Sequence, residues 1–276
     1  MFSTSNAFLT RYDREAPPVT SNLIRDLKDL PDPAPHGGRG SDPWGGPGVF
    51  ADPSSNRIVG TDDGEVIHGT ERRDIIEAKG GGDTVYADAG DDVVFGGAGH
   101  DRIFGDDGND WLSGGSGNDW LYAGGDGWQN ILNGGPGADL LYGADFVGVQ
   151  DVFQFTLASD SETHPDTDII HGFRSGEDKV HLAFDSDDFK PGHQSDFHLV
   201  EQKDAGTAGT IWVEGFYQSA GDADLTMQFR LYGHTNNDGE VDFEIAFADN
   251  FSDNETEWWQ TARQPEELIN ISDFIF

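Results

Sequence analysis

Aliphatic residues recur through the middle of the chain with a fixed beat: Ile67, Ile76, Val85, Val94, Ile103, Leu112, Leu121, Leu132 and Leu141. Two residues before each stands a polar one: Glu65, Asp74, Asp83, Asp92, Asp101, Asp110, Asp119, Asn130 and Asp139. The three residues around each aliphatic position predict a short strand with one side chain turned inward. The six before it predict a turn, and glycine collects there because a turn needs positive φ and close backbone approach. Gly96-Gly97-Ala98-Gly99-His100-Asp101-Arg102-Ile103-Phe104 shows the full pattern, as do the nonamers beginning at Gly114 and Gly134. Two nonamers complete one turn of a flattened coil. Asp83, Asp101 and Asp119 then stack along one edge, and Asp74, Asp92 and Asp110 along the other.

Carboxylates spaced by one strand separation repel each other unless a cation lies between them. Ca²⁺, a hard cation that takes several oxygen ligands, suits such an edge. This assigns Asp74, Asp83, Asp92, Asp101, Asp110, Asp119 and Asp139 as metal ligands, with Glu65 a poorer candidate because of its longer reach. A flexible Gly/Asp-rich linker is the bland alternative, but a linker keeps no aliphatic register. The nonamer resembles the RTX (hemolysin-type) calcium-binding repeat, which implies an all-β parallel roll. The resemblance also implies that turn carbonyls join the carboxylates: Gly97 and Gly99 with Asp101, Gly115 and Gly117 with Asp119. The repeat ending at Asn130 holds two extra residues, which predicts a bulged turn with a weak or absent cation site.

The outward positions carry a second pattern. Tyr86, Phe104, Tyr122 and Tyr142 predict an aromatic ladder on one outer sheet, and Ile75, Val93, Trp111 and Ile131 an apolar stripe on the other. Contiguous apolar stripes are covered surfaces or binding surfaces. The first reading has residues 1–56 or the C-terminal region packing over them. The second has a carbohydrate or protein ligand on the ladder.

Beyond the repeats the period changes. Leu225, Met227, Phe229 and Leu231 alternate with polar residues, as do Val241, Phe243, Ile245 and Phe247, and more briefly Ile211 and Val213. Alternation of period two predicts half-buried antiparallel strands, and hence a C-terminal antiparallel β-sandwich capping the roll. The division expected is a 1–56 extension and Pro/Gly-rich linker, a 57–143 roll and a 144–276 cap. Residues 21–30 predict one short amphipathic helix in the extension. Asp151–Phe155, Asp168–Phe173, Ser175–Leu182, Asn237–Ile245 and the ending Ile271–Phe276 resemble the C-terminal domain of serralysin-type secreted proteases and the R-modules of mannuronan epimerases. The loop 234–242 has oxygens at EF-like spacing but Ile245 where the bidentate Glu would stand, so a tight hairpin is the favoured reading.

Composition narrows the function. The formal net charge is −36, which disfavours nucleic acid and anionic membrane surfaces as partners and suits uptake of divalent cations. Cysteine is absent, so neither disulfides nor a thiolate site can form. No secretory signal peptide precedes the repeats and no apolar run is long enough to span a membrane. Sites of the extracellular type need calcium in the ~10⁻⁴–10⁻³ M range, which points to export by a C-terminal signal and type I secretion machinery. The sequence holds no H-E-x-x-H, G-x-S-x-G, P-loop or dinucleotide fingerprint. His164 and His171 read as surface or turn residues. The expectation is therefore a secreted, non-enzymatic calcium-binding roll with a structural or adhesive role. The alternative is a hydrolase or lyase, or an accessory module of one, that uses the roll for folding and secretion.

Overall fold

The fold follows from one rule: each aliphatic beat points inward and each turn sends the chain to the opposite layer. In the computed structural model, residues 55–125, 127–144, 146–163, 166–182, 198–200, 208–219, 225–248 and 271–275 are described. The helix expected over 21–30 and the linker after it lie outside them.

One layer is an eight-stranded sheet. Its strands, in spatial order, are β1 (Asn56–Val59), β3 (Asp74–Gly80), β5 (Val93–Ala98), β7 (Trp111–Ser116), β9 (Gln129–Asn133), β11 (Gln150–Phe155), β13 (Lys179–Leu182) and β18 (Phe274–Ile275). The other is ten-stranded. It begins with β2 (Val66–Thr70), β4 (Thr84–Asp88), β6 (Arg102–Phe104), β8 (Trp120–Tyr122), β10 (Leu140–Tyr142) and β12 (Asp168–His171). It continues through β17 (Phe243–Ala248), β16 (Leu225–His234), β15 (Thr210–Ser219) and β14 (His198–Leu199).

Every neighbour pair in the repeats is parallel, with an 18-residue register such as Ile76↔Val94 and Val94↔Leu112, widened to 20 at Leu112↔Leu132 and Leu121↔Leu141 by the two extra residues. The aliphatic beat therefore stacks into one continuous core. Ile76, Val85, Val94, Ile103, Leu112, Leu121, Leu132 and Leu141 are all fully buried. Burying a Leu, Ile or Val side chain contributes roughly 1.5–3 kcal/mol, so the array is self-supporting only once several turns have stacked.

The antiparallel strands expected in the C-terminal part are β15, β16 and β17. Ile211, Phe229, Leu231, Phe243, Ile245 and Phe247 point into the core, as the alternation requires. Their placement was not legible in the sequence: they extend the roll's own ten-stranded sheet, with β17 parallel to β12. The eight-stranded layer likewise runs past 143 into β11, β13 and β18. Both layers therefore cross the expected 143/144 boundary unbroken. The core passes the same way through Phe153, Phe155, Ile170 and Val180.

Candidate metal centre

The carboxylates form two columns, one along each edge of the roll. In the first, the backbone amide of each member donates to Oδ1 of the next: Glu65 to Asp83 at 2.7 Å, Asp83 to Asp101 at 2.8 Å, Asp101 to Asp119 at 2.8 Å and Asp119 to Asp139 at 2.7 Å. The second runs Asp74 to Asp92 at 2.7 Å, Asp92 to Asp110 at 3.0 Å and Asp110 to the Asn130 Oδ1 at 3.0 Å. The two-edge arrangement expected from the 18-residue spacing is thus present. Every member from Asp74 to Asp139 is buried to within about one per cent.

These bonds use only one oxygen of each carboxylate. The other, Oδ2, is buried without a hydrogen-bond partner in Asp83, Asp92, Asp101, Asp110, Asp119 and Asp139. A buried acceptor left unpaired costs about 1–3 kcal/mol, and more when charged. Six of them rival the ~5–15 kcal/mol that holds a whole domain together. The arrangement is complete only if something positive meets those oxygens.

Turn geometry decides which oxygens stay open. The residue four before each of these aspartates has positive φ: Lys79 at 82°, Asp88 at 68°, Gly97 at 110°, Asp106 at 63°, Gly115 at 104° and Gly135 at 91°. That conformation directs the local amide elsewhere; the Gly115 amide donates to the Gly134 carbonyl of the next turn. Where the same position holds a residue that avoids the left-handed region, the turn closes. The Thr61 amide donates to Glu65 Oε2, and those of Thr70, Thr156 and Arg174 to Oδ2 of Asp74, Asp160 and Asp178. Asp74 is therefore unlike the other predicted ligands. Its Oδ2 also takes the Thr70 hydroxyl, and only its Oδ1 lacks a partner.

Main-chain oxygens crowd the same turns. A Cβ added at Gly97 would stand 1.8 Å from the Lys79 carbonyl oxygen, and one at Gly99 1.6 Å from that of Gly81. The same holds one turn on, 2.0 Å between Gly115 and the Gly97 carbonyl and 1.6 Å between Gly117 and the Gly99 carbonyl. The carbonyls at these positions thus point along the stack, and only glycine leaves them room. Among the described residues no three acidic or histidine side chains converge on one point. A cation bound here would need carbonyls beside the few carboxylates to fill its shell. All-oxygen donors, flexible in number, fit calcium better than a metal that wants nitrogen or sulfur.

A sequence profile described as the RTX calcium-binding nonapeptide repeat (four copies) matches residues 59–94, 68–103, 95–127 and 129–146. These turns are calcium-binding repeats. No curated protein matches the chain. The solved structures that resemble it include two subunits of the mannuronan C5-epimerase of Azotobacter vinelandii determined in solution. The AlgE6R3 subunit is 20% identical over 78% of this chain and 80% of its own, with a TM-score of 0.33. The AlgE6R2 subunit is 21% identical over 82% and 96%, with a TM-score of 0.36.

Burial, before any other cause, drives the carboxyl pKa values up. Asp92 and Asp119 rise to about 7, and Asp110 and Asp139 to about 8. The amide bonds along each column oppose that rise, and the neighbouring carboxylates add to it. Without a cation the ladder favours protons, so calcium and protons compete for the same oxygens.

Three ladder members escaped sequence reasoning. Asp168 Oδ1 accepts the Asp139 amide at 2.8 Å, and Asp178 Oδ1 accepts the Asp151 amide at 3.0 Å. Each precedes an inward residue by two, in Asp151-Val152-Phe153, Asp168-Ile169-Ile170 and Asp178-Lys179-Val180. The signal was there, but irregular loops hid its period. Asn130 keeps its place in the column, and its Nδ2 donates to Asp151 Oδ1 at 3.1 Å. In the 234–242 loop, Asp242, Asn236 and Asp238 oxygens accept the loop's own amides, which accords with the tight-hairpin reading.

The aromatic ladder is longer than the four rings expected. His68, Tyr86, Phe104, Tyr122, Tyr142 and His171 stack in sequence, centroids 4.5–5.0 Å apart and planes within 6–11°. His171, read from sequence as a surface or turn residue, is its last ring. Each inner ring has both faces covered by its neighbours, so the stack offers edges rather than faces to solvent. On the other layer Ile75, Val93 and Trp111 are buried, with Phe95 and Ile131 packed against them.

Proposed function

We propose that this is a secreted protein whose roll folds on meeting extracellular calcium, and that its role is structural or adhesive rather than catalytic. The observation that carries the reading is the file of buried carboxylate oxygens with no hydrogen-bond partner among the described residues. The −36 charge acts in the same direction, keeping the calcium-free chain expanded. Because such sites exist only in the folded form, binding energy is folding energy. In a medium poor in calcium the repeats stay unfolded, which suits passage through a narrow export channel.

The export signal is assigned to the end of the C-terminal region, 144–276. Once folded, that end is tied in: Asp273 accepts the Ser175 hydroxyl at 2.6 Å and the Gly176 amide at 2.9 Å, and Phe274–Ile275 pair with β13. A signal placed there is accessible before folding and sequestered after it. The stacking of the ladder favours a bracing role over a sugar platform, since CH–π recognition uses exposed ring faces.

Far-ultraviolet circular dichroism with chelator and with millimolar calcium tests the folding claim. The expected result is a large gain of β signal with calcium and little with magnesium. A fully formed roll in excess chelator would overturn it. Deleting residues 271–276 should abolish export from a host with a matching transporter; undiminished export would refute the C-terminal signal.

A further inference from the structure

The second column does not stop at Asn130, yet its last members sit in closed turns. Asp151 and Asp178 are fully buried, and neither has an oxygen among the unpartnered ones. What meets them is a side chain of the protein itself. The Arg174 Nη2 lies 3.6 Å from Asp151 Oδ2 and 3.3 Å from Asp178 Oδ1. The same nitrogen donates to the Val149 carbonyl at 2.7 Å, and Nη1 donates to the Phe146 carbonyl. One carboxylate from each of two stacked turns, plus two loop carbonyls, is the donor set that the upstream turns offer calcium.

We propose that the Arg174 guanidinium is the resident cation of this end of the ladder, and that the turns it joins hold together without metal. The chemistry suits the substitution. A guanidinium carries only donors, is always charged, and fits carboxylate and carbonyl oxygens in its plane. Being tethered, it reaches the site at an effective concentration that no change in free calcium can alter. Asn130 assists on the upstream side, where its amide group takes the place of a carboxylate and donates to Asp151. The column thus changes from metal-held to chain-held at Asn130. The chain-held turns form a ready edge, and stacked repeats grow most easily from a formed neighbour.

The proposal rests on the calcium reading only for the contrast with the upstream turns. Hydrogen exchange on the full chain, in chelator and in millimolar calcium, separates the two. The strands Gln150–Phe155 and Lys179–Leu182 should keep protection within about threefold on chelation, while Val93–Ala98 and Trp111–Ser116 lose about 100-fold or more. Arg174→Gln, which keeps bulk and hydrogen bonding but no charge, should lose about tenfold or more in the downstream strands in chelator. Arg174→Lys should retain most of the protection. Downstream strands that exchange as freely as the upstream ones in chelator would overturn the proposal. So would a Gln variant as protected as the parent, or Lys and Gln variants equally exposed. Upstream strands that stay protected in chelator would instead count against the calcium reading.

Discussion

The turns from 78 to 139 and those of Asp151 and Asp178, at the end of the second column, stack the same carboxylates yet hold them by different means. Upstream, positive φ four residues before each aspartate turns the local amide away and leaves Oδ2 bare. Downstream, the Ala144 amide donates to Asp151 Oδ2 at 2.6 Å, the Arg174 amide to Asp178 Oδ2 at 2.7 Å, and a guanidinium lies between the two. The second column is thus built upstream to need an ion and at its last two turns to do without, while Asp168 in the first column keeps a bare Oδ2. The difference lies in the turn residue, since the carboxylate is the same in both. Four residues before the carboxylate, a left-handed residue opens the turn and Thr or Arg closes it; Ala144 closes the Asp151 turn from seven residues before.

The largest effect should come from removing a shared upstream carboxylate. Asp101→Ala deletes the acceptor of the Asp83 amide and one open oxygen of the first column. It leaves buried groups unpaired at roughly 1–3 kcal/mol each, so the calcium midpoint of folding should rise about tenfold or more. Asn130→Ala, at the junction between the two regimes, should shift that midpoint far less. Equal midpoints in calcium titrations of the two variants would dissolve the distinction drawn here.

A pH series sharpens the same contrast. The Asp92, Asp110, Asp119 and Asp139 pKa values stand at about 7 to 8 in the fold, against an ordinary 3.8. A group raised on folding stabilises the fold fully below its unfolded pKa, and that contribution disappears as pH rises through the folded value. In chelator the upstream turns should therefore gain β signal as pH falls toward 4 and lose it as pH rises toward 8. With calcium present, protons compete, so the calcium midpoint should be higher at pH 5 than at pH 8. General charge repulsion gives a slope of the same sign. Asp119→Asn isolates the site-specific part, because it should flatten the dependence; an unchanged slope would assign the effect to net charge alone.

The ladder of rings spans both regions, so its loss should not discriminate between them. Phe104→Ala removes two stacking contacts, with Tyr86 and Tyr122, at about 0.5–1.5 kcal/mol each beyond lost area. Thermal melts in saturating calcium should show a fall of several degrees, with the calcium midpoint raised less than by Asp101→Ala. The smallest effect is expected at Lys79, held at φ 82°. A left-handed non-glycine residue costs roughly 1 kcal/mol, so Lys79→Gly should stabilise the holo form slightly. A loss of stability would show that the lysine side chain contributes something beyond its backbone conformation.

Much of this molecule was legible residue by residue. The aliphatic beat located the core strands, the 18-residue spacing assigned aspartates to edges, and glycine at positions such as 97, 99, 115 and 117 marked where backbone must pass close to backbone. Those features are periodic and local, and a period survives in one dimension. What the tertiary structure alone decided is aperiodic or long-range. It placed β17 against β12 and so merged the antiparallel strands into the roll's own sheet. It carried the ladder through Asp151, Asp168 and Asp178 across loops of unequal length. It also brought Arg174 to two carboxylates and to carbonyls more than twenty residues away. A guanidinium on a long side chain has no fixed spacing to its partners, so only the folded chain shows which charges it meets.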